Sequence, residues 1–101
     1  MNTEILAYVS ENEIAHLIDL SGLIEQGNCN QNDIKSSNDT LGFSVNRNPY
    51  FSYFEIEKNT DETFDLIFYL EGRNGLDIVD LETSISKESL KRIVEERILG
   101  I

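Results

Sequence analysis

The sequence predicts an α+β fold: a four-stranded antiparallel meander sheet packed by a C-terminal helix, with an N-terminal helical region. Three observations predict it. Residues 63–70 alternate, so that Phe64, Leu66, Phe68 and Leu70 share one side while Asp65, Ile67 and Tyr69 take the other, which is the period of a strand. Turn signals bound this run, with polar Lys58-Asn59-Thr60-Asp61-Glu62 before it and Gly72-Arg73-Asn74-Gly75 after it. Beyond Ser86 the period lengthens, and Leu90, Ile93, Val94 and Ile98 form one helical stripe.

The elements follow in chain order. Ser10-Glu11-Asn12-Glu13 has the form of a capping box, and Ile14, Leu17, Ile18, Leu20, Leu23 and Ile24 follow it. This predicts a helix from Glu11 to Gln26, ended by Gly27. Ahead of it, Glu4 to Val9 reads as a short strand or a further helical turn. Residues 27–39 are rich in Asn and Ser and are read as a mobile connection. Leu41, Phe43 and Val45 alternate with Gly42 and Ser44, giving a strand closed by Asn46-Arg47-Asn48-Pro49.

The strands can be set in register. Pairing Glu57 with Thr63 places Ile56 opposite Phe64, Phe54 opposite Leu66 and Tyr50 opposite Leu70. A turn centred on Asn74-Gly75, with both residues at positive φ, places Leu70 opposite Val79 and Phe68 opposite Leu81. Leu41, Phe43 and Val45 then oppose Phe54, Ser52 and Tyr50. All of these pairings agree on one apolar face, as a folding sequence requires. The C-terminal helix should cover that face, with Ser86 as its N-cap, Ile85 stapled to Leu90 and Gly100 at its end.

The reverse face is then the distinctive product of the pattern. It is expected to carry Phe51, Tyr53, Ile67, Tyr69 and Ile78 among Glu55, Asp65, Glu71, Asp80 and Glu82. Like charges such as Glu55 opposite Asp65 oppose pairing by a few tenths of a kcal/mol, roughly. Either the N-terminal segment or a second subunit covers these aromatics, or they form a recognition patch. In the second case tyrosines supply contact area and the carboxylates meet Lys or Arg of a partner. The candidate contacts are Tyr53, Tyr69, Glu55, Asp65, Asp80 and Glu82.

Composition narrows the function. The 101 residues suit one domain spanning 1–101, and the 40% hydrophobic content is that of a globular chain. Eight basic residues against nineteen acidic give a net charge of −11, which disfavours nucleic acid and anionic membranes and favours a basic protein partner. With one cysteine, Cys29, the chain holds no intrachain disulfide. No secretion signal or membrane-spanning run is evident, so a cytoplasmic protein is expected.

Catalytic chemistry finds little material. His16 and Cys29 are the only histidine and cysteine, a poor basis for a nucleophilic pair or a zinc site. Asp61-Glu62 and Asp77-Ile78-Val79-Asp80 lack the calcium-loop spacing. Gly72-Arg73-Asn74-Gly75 has no lysine and hydroxyl after it and precedes a strand, unlike a phosphate loop. The expectation is a binding protein with no cofactor, no metal and no enzymatic activity.

In small size, strong acidity and want of a catalytic constellation, the chain resembles the immunity proteins of bacterial contact-dependent inhibition and related polymorphic toxin systems. The resemblance is one of general character across the whole chain. It implies a cognate toxin domain, often a basic nuclease, neutralised by 1:1 binding. Two further classes fit the same charge. One is a phage-type DNA mimic directed at restriction or CRISPR effectors, which would bind DNA-handling proteins promiscuously. The other is a secretion chaperone or adaptor that dimerises through its apolar face, so a homo-oligomer stays open.

Overall fold

The computed structural model describes residues 12–46 and 48–99. The fold is α+β, as the sequence predicts, but among the described residues the sheet has five strands in the order β1-β2-β3-β4-β5, all antiparallel. These are β1 (Lys35–Ser36), β2 (Thr40–Phe43), β3 (Tyr53–Lys58), β4 (Phe64–Gly72) and β5 (Gly75–Ile85). Helices α1 (Glu13–Leu17) and α2 (Leu20–Glu25) precede the sheet, and α3 (Lys87–Ile93) follows it, continued by a wider π-helical turn over Val94–Ile98. The fifth strand, β1, comes from the polar stretch expected to carry no structure, which also holds a 3₁₀ turn at Gln31–Asp33.

Among the described residues, the helix predicted over Glu11 to Gln26 is two helices, not one. Asp19 sits between them in the left-handed region at φ 51°. The break has a packing reason. Leu20 follows Ile18 by only two residues, so in a continuous helix it points away from the Ile14–Ile18 stripe. Breaking the helix lets Ile14, Ala15, Ile18, Leu20, Leu23 and Ile24 all enter one core. The start also moves. Asn12 is the N-cap, its side-chain oxygen accepting from Ala15 N at 3.1 Å, and Glu13 bonds Lys58 of β3 at 2.6 Å. Ser10, Glu11 and the Glu4–Val9 segment lie outside the described residues.

The end at Gly27 is as predicted. Gly27 takes φ 75°, its N–H donates to Ile24 O at 3.0 Å, and Asn28 N donates to Leu23 O at 2.9 Å. That pair of bonds is a Schellman cap, for which glycine is the favoured residue.

The core lies on one face of the sheet. Leu41, Phe43, Phe54, Ile56, Phe64, Leu66 and Phe68 meet Leu90, Ile93, Val94 and Ile98 of the C-terminal helix, together with the buried residues of α1 and α2. Both helical regions therefore cover the same side. Ser86 caps α3 as expected, accepting from Ser89 N at 3.1 Å; Gly100 lies outside the described residues.

The predicted faces survive in β2, β3 and β4, although each register is offset. Ile56 pairs with Leu66 and Phe54 with Phe68, and Leu41 pairs with Ile56. Each is two residues from the expected pairing, which preserves the faces because side chains alternate with period two. The β3–β4 turn explains the offset. Asn59 N donates to Thr63 O at 2.8 Å, so the ladder runs one pair beyond Lys58, and Glu62 at φ 65° supplies the left-handed residue of a three-residue loop. The strand from Leu41 ends at Phe43, and Val45 and Tyr50 belong to the loop before β3.

In β5 the prediction fails, for a reason that decides the site. The turn is centred on Arg73-Asn74, closed by Gly72 opposite Gly75, and Gly75 rather than Asn74 takes positive φ at 108°. Leu70 then faces Asp77 and Tyr69 faces Ile78, but the next pair is Phe68 with Asp80. Val79 is the extra residue of a β-bulge, and one extra residue exchanges the two faces of everything after it. Asp80 and Glu82 come to the helix side, and Leu81, opposite Ile67, turns to the reverse face.

Candidate recognition face

Tyr53, Tyr69 and Ile78 form one cross-strand row of the reverse face, and Gly42, Glu55, Ile67 and Leu81 form the next. Glu57 and Asp65 follow in the row beyond, and Glu71 and Leu76 stand toward the hairpin tip. Apart from Gly42, none of these residues is buried. The described N-terminal helices pack on the opposite side, so they do not cover this face.

Gly42 is buried because Tyr53 lies over it. A Cβ added at Gly42 would collide with the Tyr53 phenol oxygen, so the missing side chain is what lets the ring lie flat across β2, an aromatic cover for a strand glycine. Tyr53 and Tyr69 meet edge to face, with centroids 5.9 Å apart and planes at 62°, the arrangement that ring quadrupoles favour. The two tyrosines are thus a braced pair.

The electrostatics are one-sided. Partial burial, then the Glu55 carboxylate, push both phenols above their usual range; Tyr53 is raised further by Tyr69 and Asp33, and Tyr69 by Glu57. Burial, the Glu57 charge and a hydrogen bond with Glu57 likewise raise the Glu55 carboxyl, with Lys35 on β1 pulling the other way. A cation docking here would relieve that crowding.

Asp65 is on the expected face but already engaged. Its Oδ1 accepts from Asn59 Nδ2 at 3.0 Å and from Ser84 N at 2.9 Å. Ser84 has φ 51°, at the second irregularity of β5, so Asp65 ties the β3–β4 turn to the end of the edge strand. The like-charge neighbour across the ladder is Glu57, not Glu55.

The expected constellation is therefore divided. Tyr53, Tyr69, Glu55 and Asp65 share the reverse face, whereas Asp80 and Glu82 lie on the helix side, where both are held by Arg97. Its guanidinium also sits 4.2 Å from the Phe68 ring centroid and 5.7 Å from that of Phe51. The Arg97 hydrogen bond holds the Asp80 carboxyl below the usual carboxylate range. Phe51, expected on the reverse face, packs instead on Phe54 and Phe68, with centroids at 5.9 and 4.8 Å. It leaves the strand alternation because Asn48 Oδ1 accepts from Tyr50 N and Phe51 N and folds the loop inward.

Sequence reasoning missed Leu76 and Leu81 on this face, and Arg97 behind it. A bulge carries no motif, but one signal exists: Leu76, Ile78, Val79 and Leu81 cannot all lie on one side of a regular strand.

On the helix side, a cleft of about 860 Å³ runs between α1, α2, the loop before β3 and the π-helical turn. His16, Asp19, Lys91 and Glu95 line it, with no serine, threonine or cysteine among its described lining residues. Cys29 is buried elsewhere in the core, and burial followed by the Asp33 charge pushes its thiol up to about 11, away from reactive thiolate character. No group of three or more His, Cys, Asp or Glu side chains among the described residues is placed to hold a metal ion. No described helix is long and apolar enough to cross a membrane. Comparison with protein-family models, curated proteins and solved structures found no match.

Proposed function

We propose that this chain is an immunity protein that binds a basic toxin domain through the open face of its sheet. The observation that carries the reading is the patch of Tyr53, Tyr69, Ile67, Ile78 and Leu81 beside Glu55, Glu57 and Glu71, which no described helix covers, on a chain of net charge −11. Aromatic and aliphatic side chains at the centre supply desolvation energy, and carboxylates nearby select cationic partners and steer their approach. Asp65 serves by holding the strands in place. Asp80 and Glu82, facing away, are left out of the contact set.

The mixture of phenols, aliphatic side chains and acids supports a protein partner over a mimic of the phosphate array of DNA, which needs carboxylates at regular spacing and little apolar surface. The test uses the reading frame adjacent to this gene. Co-expression should restore growth to cells producing the toxin domain encoded there, and Tyr53→Ala with Tyr69→Ala should abolish protection without unfolding the chain. Protection undiminished by that double substitution sinks the reading.

A further inference from the structure

We infer that the outer edge of β5 is a docking rail for an extended, cationic segment of a partner protein, which pairs with it as a sixth strand. The inference takes the basic partner from the function proposed above and adds the backbone mode of its binding.

The two ends of the sheet are unlike. β1 closes one end with two residues, while β5 closes the other with eleven, about 36 Å of strand at the usual rise. Proteins blunt long edges with lysine, proline, bulges, inward-pointing charges or short length, because a row of unpaired N–H and C=O groups templates pairing with another chain; β5 carries bulges and inward acids but is long. Gly75–Ile85 contains no lysine, arginine or proline. Its bulges leave Gly75–Ile78 and Asp80–Glu82 in regular ladder. Along it Leu76 is 48% exposed, Ile78 62%, Val79 47% and Leu81 51%, and Leu76, Ile78 and Leu81 continue the apolar centre of the reverse face. An added strand would find side-chain contacts together with backbone partners at Leu76 and Ile78, the two ingredients of recognition by strand addition, whereas Leu81 N already donates to Asp80 Oδ1 at 2.8 Å.

Charge selects the occupant. Asp77, Asp80 and Glu82 punctuate the edge, and Arg97 pairs with the last two as one cation against two carboxylates, so among the described residues the edge keeps a net negative charge. Two copies of β5 in antiparallel contact would set these carboxylates against one another, on chains that each carry −11. A strand bearing lysine or arginine at alternate positions meets the acids without that opposition.

The probe is an eight-residue peptide of alternating lysine and valine with blocked ends, compared with the same peptide carrying a fully N-methylated backbone, and read by amide hydrogen exchange on the whole chain. Alternate amides of β5 should slow by about tenfold or more at saturation with the first peptide, and the methylated peptide should leave them unchanged. Slowing that leaves the Tyr53 and Tyr69 ring signals unmoved supports strand pairing while counting against the reverse-face reading. Shifted tyrosine signals with unchanged β5 exchange overturn the pairing and leave that reading intact. Absence of binding at millimolar peptide overturns the pairing too. So does a doubled solution mass with β5 already protected before peptide is added, since a second copy would then hold the edge.

Discussion

Arg97 lies with its guanidinium 4.2 Å from the centroid of the Phe68 ring while it holds Asp80 and Glu82 from the far side. The pairing of this cation with this ring depends on two irregularities that meet in space. The Val79 bulge brings the two acids to the helix side, and the π-helical turn, marked by Leu99 N donating to Val94 O at 2.9 Å, widens the last turn beneath Arg97. Asn48 Nδ2 secures that turn by donating to Arg97 O and Ile98 O, each at 3.1 Å.

Arg97→Ala should therefore destabilise the fold by about 1–2 kcal/mol, through the lost cation–π stack and two acids left beside the core. Arg97→Lys should recover less than half of that loss, because an ammonium cannot lie flat on the ring while bridging two carboxylates. The urea midpoint should fall with an unchanged slope.

Gly42→Ala should drive the Tyr53 ring off β2 and cost about 1–2 kcal/mol. The same substitution in a Tyr53→Ala background should be close to neutral. A double-mutant cycle checks it, with an expected coupling of about 1–2 kcal/mol.

Asp65→Ala should remove the acceptor for Ser84 N–H and Asn59, at a cost of about 1–2 kcal/mol, and speed exchange of the Ser84 amide. Asp65→Asn, which keeps one acceptor oxygen, should lose less. Partner affinity measured on the folded Asn variant should stay near that of the parent, since the carboxylate is turned inward to its own strands.

Stability should respond to acid in two opposite steps. Glu55 has a folded pKa above its unfolded value, so its contribution is fully present below the unfolded pKa and is lost as pH rises through the folded one. Asp80 is depressed, so its contribution is present above the unfolded pKa and disappears as pH falls through the folded one. Lowering pH from 7 towards about 5 should raise the melting temperature, helped by the shrinking net charge, and further acidification should lower it. At the alkaline end, the raised Tyr53 and Tyr69 pKa values mean that these two phenols should ionise above the usual tyrosine range in an ultraviolet titration, with stability lost as pH rises through those values.

If the proposed toxin domain is the partner, Glu55→Lys combined with Glu57→Lys should slow association with it by about tenfold or more at low salt and flatten its salt dependence. Stopped-flow association across a salt series is the measurement.

Much of this architecture was readable in the residues themselves. Alternation in residues 63–70, the Ser86 cap, the helical stripe after it and the Gly27 stop are local signals, and local backbone preference together with burial fixes them. The faces of β2, β3 and β4 were readable even where the pairings were not, because a two-residue slip leaves every side chain on its own side. The Asn12 cap and the Asp19 break lay beyond local reading, since both are settled by what the helices pack against.

What the chain determined alone, then, was an α+β body with one apolar sheet face and a tyrosine pair among acids on the other, since period and charge are written residue by residue. What only the tertiary structure decided was the membership of that second face. A single extra residue at Val79 exchanged Asp80 and Glu82 for Leu81. That exchange depends on Arg97, separated in sequence but adjacent in space, being there to pair with the acids it brought across.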